Sequence, residues 1–239
     1  GLYEATREEM TSYLNAAEAE EVIFTKGTTD GINLVAQSFL APLLKAGDEV
    51  LISGMEHHAN LIPWQQVCKQ KGAHLKVIPV TQTGELDLDS FYSLLGPKTR
   101  MLAVVHVSNT LGTVNPIDTL ISAAKEKGIP VLIDAAQTIS HYPIDVQQWG
   151  ADFVVFSGHK MYGPTGIGIL YGKKAHLERM QPYQVGGSMI RDVQFEKTIF
   201  APPPRRFEAG TPNIAGVAGL RAALAFLKNL DMQEGKAYL

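Results

Sequence analysis

A single cysteine, Cys68, stands in 239 residues, so an internal disulfide and a cysteine-built metal cluster are both excluded. An excess of either charge is missing as well. The 21 Lys and Arg against 24 Asp and Glu leave a net charge of −3, which gives no electrostatic case for nucleic acid or an anionic membrane. No apolar run approaches the roughly 20 residues a membrane-spanning helix needs. The glycine fingerprint of dinucleotide sites and the lysine-bearing phosphate loop are lacking too, which argues against a nucleotide-binding α/β module. Internal repeats and low-complexity tracts are absent. What remains is ordinary globular composition, 45% hydrophobic and 19% charged, at a length that buries a substantial core. A cytoplasmic location is the expectation.

The chain opens Gly1-Leu2-Tyr3 at the start of a helical pattern over 4–14. It closes on another over 216–230, followed by a polar stretch at 231–238. Ends of this kind are expected of a piece of a longer protein. Between them, short apolar runs alternate with longer amphipathic segments, the pattern of strand–helix units around a mostly parallel sheet. Strands are expected at 21–25, 49–53, 74–79, 99–106, 130–134, 152–157 and 168–171. Helices are expected at 29–40, 58–71, 86–95, 116–127, 144–149 and 215–229. Gly47-Asp48, Gly84, Gly112, Gly128 and Gly163-Pro164 supply the turns. The stretch 186–204, with Pro202-Pro203-Pro204, reads as one long irregular segment.

Ligands of open parallel sheets bind outside the carboxyl ends of the strands, and polar residues gather there. Thr28 and Thr29 follow the first strand, His57 the second and Asn109 the fourth. Asp134 and Gln137 follow the fifth, and Ser157, His159 and Lys160 the sixth. Five strand ends carrying polar groups on one edge mark that edge as the site.

Lys160 is the most informative of these. It leaves the apolar run Asp152-Phe153-Val154-Val155-Phe156 and enters the glycine-punctuated turn Ser157-Gly158-His159-Lys160-Met161-Tyr162-Gly163-Pro164-Thr165-Gly166. Partial desolvation there brings a lysine amine toward its nucleophilic form. Such an amine, beside a serine, a histidine and exposed backbone, suits Schiff-base chemistry on a phosphorylated aldehyde, pyridoxal phosphate (PLP). For an isolated lysine, a surface position in a strand-to-loop connection would be the better explanation; the other strand ends overturn it.

Gly27-Thr28-Thr29-Asp30-Gly31 lies between strand and helix, where backbone N–H groups and two hydroxyls make either a phosphate cradle or an ordinary Thr cap. The pair His57-His58 is a poor metal motif, since adjacent histidines rarely face one ion and no third ligand stands at diagnostic spacing. A flat imidazole stacked on a cofactor ring is the better use of His57, while His58 begins the next helix. Asp134 ends an apolar strand, where a buried carboxylate is costly without a partner. A protonated pyridine nitrogen is such a partner, and a helix cap is the alternative. Gln137 can donate to the ring's phenolic oxygen, and Asn109 can reach that oxygen or a substrate carboxylate. Arg206 is split between a salt bridge to Glu208 and a ligand role.

Taken together these residues resemble the fold-type I PLP enzymes of the class V aminotransferase group. More narrowly they resemble the group II, Suf-type cysteine desulfurases, with their selenocysteine lyase-like members. The carrying motifs are Gly27-Thr28-Thr29-Asp30-Gly31-Ile32-Asn33, Glu56-His57-His58-Ala59-Asn60, Val107-Ser108-Asn109, Asp134-Ala135-Ala136-Gln137, the Ser157 to Gly168 run, and Arg206-Phe207-Glu208-Ala209-Gly210-Thr211-Pro212-Asn213. They cover essentially the whole chain.

The resemblance implies a three-layer α/β/α fold with a mostly parallel seven-stranded sheet. Residues 1–239 would be the PLP-binding large domain, without the family's first segment and its C-terminal small domain. It implies that Lys160 carries the cofactor and shuttles the substrate's Cα proton, and that His57 stacks on the ring and aids proton transfer. Asp134 would hold the pyridine nitrogen and Gln137 the phenolic oxygen, with Thr28, Thr29, Ser157 and His159 on the phosphate and Asn109 nearby. Thr211 would come from the second subunit of a homodimer.

The implied reaction takes L-cysteine to L-alanine and an enzyme persulfide, whose sulfur passes to an acceptor protein for iron–sulfur cluster assembly. The nucleophilic cysteine and the carboxylate-binding arginine of the family lie in the small domain. Cys68 matches no catalytic position and is expected to be a small buried residue, so this chain alone would not complete persulfide formation. Selenocysteine lysis, kynurenine cleavage and transamination are the neighbouring chemistries. A non-catalytic scaffold is the reading that Lys160, Asp134 and His57 argue against.

Overall fold

Apolar runs of four to seven residues build a seven-stranded sheet in the computed structural model, which describes residues 1–229. The strands are β1 (Val22–Thr25), β2 (Glu49–Ser53), β3 (His74–Ile78), β4 (Thr99–Val105), β5 (Val131–Asp134), β6 (Phe153–Ser157) and β7 (Gly168–Gly172). Their spatial order is β1-β7-β6-β5-β4-β2-β3. Strands β2 to β6 pair in parallel, while β7 runs antiparallel to both β1 and β6. Every residue of β1, β5, β6 and β7 is buried, as strands covered on both faces require.

Helices supply the cover. They are α1 (Leu2–Tyr13), α2 (Thr28–Leu34), α3 (Ile62–Lys71), α4 (Leu88–Leu94), α5 (Ile117–Glu126), α6 (Val146–Trp149), α7 (Lys174–Leu177) and α8 (Ile214–Lys228). Successive strand side chains point to opposite faces, and two cores follow. Phe24, Leu102, Ile133 and Phe156 pack with Met10 of α1, Phe91 of α4, Leu120 of α5, Val146 of α6 and Leu224 of α8. Ile23, Val50, Leu132 and Val155 pack with Ile32 of α2, Trp64 of α3 and Leu177 of α7. The result is the expected three-layer α/β/α architecture. Among the described residues no helix is long and apolar enough to cross a membrane.

All seven strands fall within a residue or two of the expected bounds. The helices depart more. The expected helix 29–40 is α2 continued by a π-helical stretch, Val35–Leu40. The expected helix 58–71 divides into a 3-10 turn, His58–Asn60, and α3, with Pro63 in the first turn of α3 where its missing N–H costs nothing.

The stretch 186–204 is not irregular throughout. It holds an antiparallel hairpin, β8 (Ile190–Val193) and β9 (Thr198–Phe200). Its turn, Gln194-Phe195-Glu196-Lys197, contains no glycine, asparagine or proline to announce it. Helix α7, at four residues, is too short to show a period. Leu230 and the polar stretch 231–238 lie outside the described residues.

Candidate active site

Because β7 is antiparallel to both β1 and β6, strand β1 points the same way as the parallel strands, and five strand ends share one edge. The first element there is a cradle between β1 and β6. Ser157 Oγ accepts the Thr28 N–H at 2.9 Å and shares a hydrogen bond with Thr28 Oγ1 at 2.8 Å. This locks the start of α2 onto the end of β6, across β7. The closeness depends on Gly168, because a Cβ there would lie 2.5 Å from Gly27 Cα. Gly27 itself takes φ +149°, a region that side chains avoid.

With the Thr28 hydroxyl engaged by Ser157, the exposed Thr29 keeps its own hydroxyl open. The cleft here has a volume of about 590 Å³, and Thr28, Thr29, Ser157, His159, Thr165 and Gly166 help line it. Backbone N–H groups at a helix start, with hydroxyls and an imidazole around them, suit an oxyanion such as phosphate. Tyr183 also lines the cleft and donates to Asp30 Oδ1 at 2.6 Å, while Asp30 Oδ2 accepts the Lys26 N–H at 2.9 Å. Nothing in the local sequence marks Tyr183, which reaches the cleft only through the course of the chain after α7.

The second element is Asp134, 3% exposed at the end of β5. Burial raises its pKa above the ordinary carboxylate range, while the Ala136 N–H bond to Oδ1 (2.9 Å) and the positive charges of Lys160 and His57 pull the other way. Oδ2 takes no hydrogen bond among the described residues. A buried acid with an open acceptor and costly charge calls for a cationic N–H donor, and the protonated ring nitrogen of PLP supplies both. The residues therefore fit the cofactor. Lys160 closes a 3-10 turn, Gly158–Lys160, half-buried, with its amine in no hydrogen bond among the described residues. His57 Nδ1 accepts the Ala59 N–H at 3.1 Å, which assigns the proton of the neutral ring to Nε2.

Glu56, part of the Glu56–Asn60 motif but with no role evident from sequence, immediately precedes His57. Burial pushes its carboxyl up to about 8, against the pull of hydrogen bonds from Ser53, Asn60 and Val105. Only the tertiary fold shows these three donors converging.

Structure thus brings Thr28, Thr29, Ser157 and His159 together, and sets Lys160 and His57 around Asp134. Gln137 is half-buried on the turn after β5, while Asn109 and Thr211 are exposed and line no part of the cleft. Arg206 takes neither expected role. It donates to the carbonyls of Ala201, Glu178 and Met180, and Glu208 is bound by Arg7 instead. Cys68 is buried at 3% exposure, and burial pushes its thiol up to about 11.

Comparison with known proteins agrees with this geometry. The sequence profile described as aminotransferase class-V matches residues 1–239. A cysteine desulfurase of Klebsiella pneumoniae is 51% identical over 236 residues, covering 98% of this chain and 58% of that protein. The crystal structure of the cysteine desulfurase CsdA (S-sulfonic acid) from Escherichia coli superposes with a TM-score of 0.96 at 44% identity, over 99% of this chain and 59% of that one. A C-DES mutant with glycine covalently linked to its PLP cofactor superposes at 0.87 with 26% identity, over 98% and 62%. The chain spans little more than half the length of these relatives.

Proposed function

The chain belongs to the aminotransferase class-V family, and from that premise we propose that residues 1–239 form the PLP-binding large domain of a cysteine desulfurase. One juxtaposition supports it: the buried Asp134 carboxylate, with Oδ2 unpaired, within electrostatic reach of both Lys160 and His57. Half-identity to a cysteine desulfurase over nearly the whole chain points the same way.

When bound, PLP supplies an electron sink that stabilises negative charge at the substrate Cα. Lys160 Nζ is the amine that would hold the cofactor and would take the Cα proton of L-cysteine. Asp134 keeps the ring nitrogen protonated through the charge it presents. His57 covers the ring with its imidazole and carries a proton at Nε2. Gln137 would donate toward the phenolic oxygen, and Asn109 would reach that oxygen or the substrate carboxylate. Thr28, Thr29, Ser157 and His159 take the phosphate, and Thr211 of a second copy completes that cradle, so the working form is a homodimer.

The substrate sulfur leaves Cβ for a thiolate outside this chain, giving L-alanine and a persulfide that an acceptor protein collects for iron–sulfur cluster assembly. Cys68, 3% exposed within α3, is not placed to be that thiolate. A group II, Suf-type assignment and a cytoplasmic location complete the reading.

The test is to incubate the complete polypeptide with PLP, reduce it with borohydride and map the labelled peptide by mass spectrometry. A phosphopyridoxyl group on Lys160 alone is the expected result. Label absent, or scattered over surface lysines, overturns the cofactor reading. A labelled protein that forms no alanine from L-cysteine overturns the reaction.

A further inference from the structure

Glu56 immediately precedes His57, and its carboxyl is held from three sides. Oε1 accepts the Val105 N–H at the end of β4, at 2.9 Å, and meets Ser53 Oγ at the end of β2. Oε2 accepts from Asn60 Nδ2 at 2.6 Å. Asn60 is not able to turn over, because its Oδ1 accepts the Trp64 Nε1–H at 2.8 Å, and an indole nitrogen only donates. Asn60 and Trp64 are both completely buried. The relay Trp64 to Asn60 to Glu56 therefore has one polarity, and Val105 N–H is an equally fixed donor at its other end.

A carboxyl satisfies this arrangement and an amide of the same shape does not. Glutamine at this position would turn its NH₂ either toward the Val105 N–H or toward the Asn60 NH₂. Flipping Asn60 to accept would strand the Trp64 N–H. Each choice leaves a buried donor unpaired, which costs its full desolvation penalty.

The position of the clamp gives it a consequence for the site. Val105 is the register partner of Asp134 across β4 and β5. The His57 ring is oriented by the Ala59 N–H, inside the same turn that Glu56 and Asn60 bracket. We infer that Glu56 is a positioning residue, whose carboxyl fastens the His57 turn to the end of β4 and so sets the imidazole in register with Asp134. The inference rests on the PLP reading above, in which His57 covers the ring whose nitrogen Asp134 holds.

The test compares the complete wild-type protein with E56Q and with the double variant E56Q/N60D. In the double variant the introduced amide donates to the introduced carboxylate, which still accepts from Trp64, and the amide oxygen remains to accept the Val105 N–H. Three readouts are taken: PLP affinity, the visible absorbance of bound PLP across pH, and melting temperature without PLP. E56Q is expected to bind PLP roughly ten-fold more weakly and to move the absorbance profile. E56Q/N60D is expected to return both to wild type.

An E56Q protein with wild-type affinity and spectrum, whatever its melting temperature, overturns the inference. So does a double variant whose melting temperature recovers while affinity and spectrum do not. If E56Q fails to fold, the folded double variant is read directly against wild type: matching affinity and spectrum support the clamp, and weakened binding overturns it. Wild-type protein that gives no Lys160 adduct after borohydride sinks the PLP reading itself, a result distinct from either.

Discussion

Arg7 donates through Nη1 and Nη2 to the two carboxylate oxygens of Glu208, at 2.8 and 2.9 Å, joining α1 to the segment that follows the β8–β9 hairpin. Arg7 also donates to the Val22 carbonyl at 2.6 Å, and Glu208 accepts the Phe24 N–H at 2.8 Å and the Tyr3 hydroxyl at 3.0 Å. The Arg7 side chain is 1% exposed and that of Glu208 10%. The pair thus holds β1 at Val22 and Phe24, just before the chain enters the Gly27–Thr28 cradle. Among the described residues, E208A leaves the buried Arg7 with only the more exposed Glu4 as an anionic partner and the Phe24 N–H without its acceptor, so a loss of stability of up to about 3–5 kcal/mol is expected. Urea denaturation of the two proteins at neutral pH measures it, and a loss under about 1 kcal/mol would show the pair to be ornamental.

Asp134 offers a sharper test of the cofactor reading, because Asn has its size without its charge. D134N removes the anion opposite the ring nitrogen and leaves the Ala136 N–H bond possible. A hydrogen bond to a charged group contributes about 1.5–3 kcal/mol, so PLP affinity is expected to fall by roughly ten- to a hundred-fold. Melting temperature without PLP is expected to hold or rise, since burial makes the Asp134 charge costly in the empty site. Unchanged PLP affinity, measured by fluorescence titration, would remove Asp134 from the nitrogen.

Asp152 governs acid stability at the opposite edge of the sheet. Burial works against its charge, yet His176, Lys173 and the Val131 N–H together hold its pKa below the usual carboxylate value. Lys173 Nζ lies at 2.8 Å, His176 Nε2 at 3.0 Å and Val131 N at 2.9 Å. A depressed folded-state pKa means stability that is present above the unfolded value of about 3.9 and is lost as pH falls through the lower folded value. D152N is expected to be less stable than wild type at pH 7 by about 1–3 kcal/mol. The gap should close as pH falls through the lowered folded-state value and the carboxyl is protonated in both states. Denaturation curves at several pH values test this, and a gap independent of pH would assign the effect to packing.

Sequence alone reached far into the sheet because its strands are apolar blocks bounded by turn residues, a one-dimensional signal. The loaded strand ends were legible for the same reason: Thr28, His57, Asp134 and Lys160 each lie within a few residues of the end of an apolar run. The β8–β9 hairpin was not legible, since its turn lacks the usual residues and its strands are largely exposed. Glu208 illustrates the other failure. Its nearest arginine in sequence is Arg206, but a short spacing in a loop does not fix side-chain direction, and the fold delivers Arg7 from the first helix instead.

The amino-acid sequence by itself determined the α/β alternation, the seven strands and the residue types on one sheet edge, because local period and composition encode those. Tertiary structure alone decided which of these side chains meet. The seating of Ser157 on Thr28 needs β7 inserted between β1 and β6, with Gly168 letting the backbones approach. The enclosure of Glu56 needs donors from β2, β4 and the turn before α3. Contacts of that kind follow from the order in which strands pair, which depends on the free energy of the whole sheet and not on any local stretch of chain.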